Sequence, residues 1–221
     1  LGTSNWQNIS YNIELVRKLN PHSMLDVGVG FGRWGILFRE FLEIWEHGKY
    51  EGNWDRIIDG IEIFPGYLQD YHKFFYNNIY TENALVHLRK TKKQYDLINC
   101  GDIIEHFTKD EGLELIDLCL QKGKYVLINI PVGENWEQEG TKENPHEAHR
   151  SMWHNKDFKK YKYFRIKKFT DLALRDFSVI LLSNNKIEFD NRFGKHFYAK
   201  NIMKNKLGLK KTVEKIEKRK R

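Results

Sequence analysis

Cysteine, proline and methionine are scarce in this chain: two, four and three among 221 residues. Two thiols, Cys100 and Cys119, cannot build a disulfide framework, and their scarcity fits a reducing compartment. No apolar run approaches the roughly 20 residues that cross a bilayer, and no secretory-signal pattern opens the given sequence. No internal repeat is visible. What is present is ordinary for a folded protein: 40% hydrophobic and 14% aromatic residues exclude wholesale disorder. A chain of this length buries about 70% of its unfolded surface without staples. A soluble, cytoplasmic protein is expected.

The net charge is +7, and its position matters more than its size. Residues 195–221 hold 11 Lys/Arg against 2 Glu, so residues 1–194 hold 26 against 28. The expected organisation is therefore one domain over 1–194, its first 20 residues an N-terminal helix, followed by a basic tail over 195–221. A tail ending Lys-Arg-Lys-Arg can touch phosphates or an anionic surface. A solvated, partly helical appendage is the preferred reading, so nucleic acid is not the favoured partner. The oligomeric state is not legible.

Apolar spacing alternates between helix-like and strand-like blocks. Helices are expected over 6–19, 33–45 and 67–75, and from Thr108, where Glu111 completes a capping box, to Gly123. Strands are expected over 23–27, 57–63, 79–80, 95–100, 125–130, 164–169 and 179–182. Continuous apolar strands such as Tyr125–Ile130 imply a parallel sheet covered on both faces. The last pair, lacking a helix between them, reads as an antiparallel edge hairpin. Residues 131–155 lack periodicity and read as a substrate-side loop. The fold class is thus α/β, a seven-stranded mostly parallel sheet with an antiparallel edge hairpin and helices on both faces. In such folds ligands bind at the carboxyl ends of the strands.

There the sequence reads Asp26-Val27-Gly28-Val29-Gly30-Phe31-Gly32-Arg33. Glycines at every second position let the backbone turn tightly beside a ligand, and the helix start offers free amides. Gly30, Gly32 and Gly35 also satisfy the dinucleotide pattern, so a nicotinamide enzyme stays open. Two acids point elsewhere. Asp26 precedes the first glycine, where it can meet a cationic ammonium or a water near it. Glu62, at the end of the second strand, presents a carboxylate to two ribose hydroxyls. Over about residues 22–184 the chain resembles the class I S-adenosylmethionine-dependent methyltransferases, with their Rossmann-like sheet. Asp26, Gly28, Gly30, Gly32 and Glu62 match that family's loop and acid, and Asn83 stands where it contacts adenine. Glu62 lies further from Asp26 than in the usual dinucleotide unit, which the polar insert at 47–55 accounts for.

A second constellation, Asp102-Ile103-Ile104-Glu105-His106, follows the fourth strand. It resembles the acidic-x-x-Glu-His segment of ubiquinone-biosynthesis O-methyltransferases and small-RNA 2′-O-methyltransferases, in which a divalent cation sits beside the acceptor hydroxyls. A hard cation on oxygen ligands would orient a diol and lower a hydroxyl pKa. His149, three residues after His146 in the long loop, is the further ligand from outside the segment. Asp102, Glu105, His106 and His149 are thus the candidate catalytic residues and candidate ligands of a possible divalent cation. His106 or His149 can equally act as general base without metal. Trp136, Trp153 and Arg150 suit stacking on a sugar or ring, or simple packing.

The leading expectation is an S-adenosylmethionine-dependent O-methyltransferase of a small molecule or glycan. The alternatives are an RNA methyltransferase that uses the basic tail, an NAD-dependent dehydrogenase and a non-catalytic methyltransferase-like subunit.

Overall fold

The computed structural model describes residues 5–50, 52–190 and 199–210. The chain forms two compact units, one of residues 1–17 with 21–187 and one of 18–20 with 188–221. In the smaller unit Asn20 donates to Asp190 at 2.8 Å, and Ile202–Lys206 forms a π-helical turn. Most of the expected basic tail, 195–198 and 211–221, lies outside the described residues.

The larger unit is built on seven strands: β1 (Ser23–Val27), β2 (Ile57–Ile61), β3 (Asn78–Tyr80), β4 (Tyr95–Gly101), β5 (Gly123–Pro131), β6 (Tyr163–Thr170) and β7 (Asp176–Ser183). They lie in the order β3-β2-β1-β4-β5-β7-β6. The first five pair in parallel, while β7 runs antiparallel to both β5 and β6. The α/β sheet with its antiparallel edge pair is therefore as expected. No helix among the described residues is long and apolar enough to cross a membrane.

The helices are α1 (Ile9–Leu19), α2 (Arg33–Arg39), α3 (Trp45–His47), α4 (His72–Phe75), α5 (Ala84–Lys90) and α6 (Lys109–Lys122). The capping box of Thr108 and Glu111 starts α6. Three expectations need correction. A π-turn, Glu40–Ile44, separates α2 from α3 within the expected 33–45 helix. The helix expected over 67–75 shrinks to α4, because Pro65–Tyr67 winds as a separate 3-10 turn. Helix α5 was not anticipated; Asn83 caps it, accepting from Leu85 N at 2.9 Å and Val86 N at 3.3 Å.

Strand alternation gives the sheet two unlike faces. Leu25, Val27, Ile98, Cys100, Val126, Ile128, Ile180 and Leu182 point to one side and pack with Leu85 and Leu88 of α5 and Leu115, Ile116 and Cys119 of α6. Fully burying each such aliphatic side chain contributes about 1.5–3 kcal/mol. The opposite side carries Asp26, Asn99 and Asn129, all fully buried, beneath α1, whose Asn12 donates to Asn129 at 2.7 Å. Cys100 and Cys119 are free thiols in the apolar layer, 3.9 Å apart.

Candidate active site

The glycine loop takes its shape from three positive φ angles, +81° at Gly28, +52° at Gly30 and +80° at Gly32. Two of these positions also lack room for a side chain. A Cβ on Gly28 would lie 2.9 Å from Ile103, and one on Gly32 would lie 2.9 Å from His72. The turn closes through Gly32 N donating to Val29 O at 2.8 Å, after which α2 begins.

Strand β2 ends at Ile61, two residues short of expectation, because the chain turns to let Glu62 bridge two loops. Its carboxylate accepts from Gly30 N at 2.8 Å and from Phe64 N at 2.8 Å. Only 5% of Glu62 is exposed, and burial pushes its pKa up, against the lowering pull of those two amides. Each carboxylate oxygen keeps further acceptor capacity for a ligand hydroxyl.

Asp26, expected to meet an ammonium or a water near it, is held by side chains of the protein itself. It is fully buried, accepting from the Tyr76 hydroxyl at 2.6 Å and Asn99 Nδ2 at 2.8 Å. Burial raises its pKa to about 7, and it does not line the cavity in front of the loop. Tyr76 in turn accepts from Gly35 N at 3.0 Å, so Asp26 braces the loop and helix from behind.

That cavity, about 120 Å³, is lined by Gly28, Gly30, Arg33, Trp34, Glu62, Asp102, Glu105, His106 and His149 among others. A neighbouring one of about 180 Å³ shares Gly28, Glu62, Ile103 and His106 and reaches Asn83. The Asn83 side-chain oxygen is already committed to its cap. A third, about 270 Å³, opens beyond Asp102, Glu105 and His149 towards Asn5, Trp136 and Arg175. Asp102, Glu105 and His149 therefore face both the loop cavity and this outer one.

Ligand atoms of Glu105, His106 and His149 lie within 4.8 Å of one another. Asp102, expected in the same group, stands outside it. It sits at φ +49° and acts electrostatically on Arg33. Glu105 is 2% exposed, its Oε2 has no hydrogen-bond partner among the described residues, and burial raises its pKa well above the carboxylate range, Asp102 adding to the shift. His106 Nδ1 faces the Ala148 carbonyl at 3.1 Å, and His149 Nδ1 faces that of Trp136. A carbonyl can only accept, so both imidazoles carry the proton on Nδ1 and leave Nε2 as the basic nitrogen. Burial lowers both pKa values, which keeps the rings neutral near pH 7.

The long loop holds these rings in place. Arg150 N and Ser151 N donate to the Glu105 carbonyl at 2.7 and 3.2 Å. Glu147, on the 3-10 turn Pro145–Glu147, accepts from the Tyr67 hydroxyl, and Asn144 donates to that hydroxyl at 3.1 Å. The loop thus clasps the segment after β2 across the first cavity. Sequence reasoning missed Tyr67, Asn144 and Glu147, which carry no local period. Asn99 was legible in principle, as a polar residue in an apolar strand paired in register with Asp26. Trp153 packs rather than stacks on a ligand: it is 1% exposed, against Phe158 at 5.4 Å. Arg150 is drawn to Glu111 at 3.3 Å.

No protein-family model and no curated protein matches the chain. Solved structures do. The methyltransferase domain of bacterial CtHen1 is 16% identical, with a TM-score of 0.52 over 80% of this chain and 97% of that one. The N-terminal domain of EvdMO1, solved in the presence of SAH and D-fucose, is 12% identical, with a TM-score of 0.57 over 82% and 85%. A SAM-dependent methyltransferase from Archaeoglobus fulgidus is 15% identical, with a TM-score of 0.51 over 79% and 94%. The fold is that of the class I S-adenosylmethionine-dependent methyltransferases. At these identities the likeness extends to the fold alone.

Proposed function

We propose that the protein is an S-adenosylmethionine-dependent methyltransferase acting on an oxygen of a small molecule or glycan. The observation that carries this reading is Glu62, a buried carboxylate fixed by the glycine loop, in one cavity with Glu105, His106 and His149. Glu62 accepts from the ribose hydroxyls, the loop amides approach the amino-acid end, and Asn83 and Ile103 flank the adenine. When bound, S-adenosylmethionine supplies a methyl group on a sulfonium for in-line displacement, so alignment is the main task left to the protein. The acceptor occupies the outer cavity, and its reacting oxygen meets the shared wall of Asp102, Glu105 and His149.

The donor set fits a divalent cation. Glu105, His106 and His149 each bring one ligand atom within 4.8 Å of the others, and Glu105 Oε2 has no hydrogen-bond partner among the described residues. With Asp102 outside the group, two nitrogens and one oxygen suit a borderline transition ion better than a hard cation that prefers oxygen ligands. When bound, such an ion would lower an acceptor hydroxyl pKa and orient a vicinal diol. The arrangement supports kinship with the ubiquinone-biosynthesis type of O-methyltransferase. Native mass spectrometry of purified protein tests the donor: a retained S-adenosyl compound is expected, and a retained nicotinamide dinucleotide would overturn the reading. Metal analysis tests the ion. About one equivalent is expected in the wild type and none in His149→Ala, whereas equal content in both removes the metal from the account.

A further inference from the structure

Charge on the larger unit is strongly polarised. Residues 156–168 carry seven Lys/Arg and one Asp, so the rest of 1–194 carries 19 Lys/Arg against 27 Asp/Glu. All seven cations are exposed, on β6 and the run leading into it, at the open edge of the sheet. The single acid, Asp157, is held by Lys109 at 2.6 Å. Lysines on an edge strand discourage sheet-to-sheet pairing, which accounts for a few of them. It does not account for the end of the strand.

There β6 turns into β7 through Asp171–Arg175, and Leu172 and Leu174 stand 88% and 84% exposed. The turn is firmly built. Asp171 accepts from Ala173 N and Arg175 N, each at 2.8 Å, and pairs with the Arg175 guanidinium. Leu174 sits at φ +60°, a conformation that costs a branched L-residue about 1–2 kcal/mol. Such a turn would be cheaper with glycine or asparagine, yet it holds leucine and aims it at solvent. Trp6, 63% exposed, lies alongside, since the next residue, Gln7, donates to Thr170 O at 3.4 Å. Asn5 and Arg175, at the same corner, line the outer 270 Å³ cavity.

We propose that this corner docks on an anionic lipid bilayer. Leu172 and Leu174 enter the interfacial layer, Trp6 sits at headgroup depth, and Lys167 and Lys168, on opposite faces of β6, meet lipid phosphates. The outer cavity then opens at the membrane surface. A nucleic acid would satisfy the cations but leave the leucines in water, and a second copy of this corner would bring like charges together. The inference does not depend on methyl transfer, because binding is measured without cofactor.

Sedimentation of the full chain with sucrose-loaded vesicles tests it. Vesicles of phosphatidylcholine with about 30% phosphatidylglycerol should carry the protein down, and pure phosphatidylcholine should not. Both Leu172→Ser with Leu174→Ser and Lys167→Glu with Lys168→Glu should weaken binding at least about tenfold, with unchanged thermal unfolding. Residues 195–221 remain in every variant, so the loss reports the corner itself. Three results overturn the proposal: no binding to anionic vesicles, binding indifferent to the leucine pair, or a leucine variant whose only change is from dimer to monomer in sedimentation velocity. Capture of single-stranded RNA in place of vesicles does so too.

Discussion

The two faces of the central sheet are built from different chemistry. Below, aliphatic side chains of β1, β4, β5 and β7 meet α5 and α6 in a continuous apolar layer. Above, under α1 and α2, Asp26, Asn99, Asn129, Asn8 and Asn12 are fully buried. Several polar atoms there, among them Asn129 Nδ2, Asn99 Oδ1 and Trp34 Nε1, have no hydrogen-bond partner among the described residues. A buried polar group without full pairing costs stability that the apolar face has to offset. Apolar side chains also fill the upper face, Met24, Leu97, Leu127, Val179 and Leu181 among them, so what sets it apart is the buried polar group that braces the loop behind the ligand cavity.

Substitutions on each face test that division. Ile128→Ala, in the apolar layer, should cost about 2–5 kcal/mol of unfolding free energy in urea while leaving ligand affinity unchanged. Asn129→Ala removes the acceptor for Asn8 and Asn12 and should cost about 1–3 kcal/mol by the same measurement. If the two costs came out reversed, the faces would not divide the work as described. A third effect concerns pH. The raised pKa of Asp26, about 7 through burial, means the folded state holds its proton more tightly than the unfolded chain. Stability then declines as pH rises from about 4 to about 7 and levels off above. Asp26→Asn cannot ionise and should narrow the difference in Tm between pH 5 and pH 8; an unchanged difference would mean that Asp26 titrates as it does in the unfolded chain.

The lower face was the easier to read. Apolar runs announce buried parallel strands directly, and every expected strand is present. Gly28, Gly30, Gly32 and Glu62 were legible for a related reason, since a tight strand-to-helix turn and an acid after β2 are local signals. The pairing of Asp26 with Tyr76 and Asn99 was not legible, because these partners lie 50 and 73 positions away. The Tyr67–Glu147 clasp spans 80 positions, and contacts at such separation leave no periodicity to detect. The Glu105-His106-His149 group was half visible. The pair on the turn after β4 was adjacent in sequence, while His149 could only be suspected within an aperiodic loop.

Calorimetric titration of S-adenosylhomocysteine into wild type and Glu62→Ala, with NAD as the comparison, puts the core of the account at risk. Saturable binding of the sulfur nucleoside, weakened by about 1.5–3 kcal/mol when the carboxylate is removed and stronger than that of NAD, is the predicted outcome. Equal affinity in the two proteins, or preference for the dinucleotide, would contradict it.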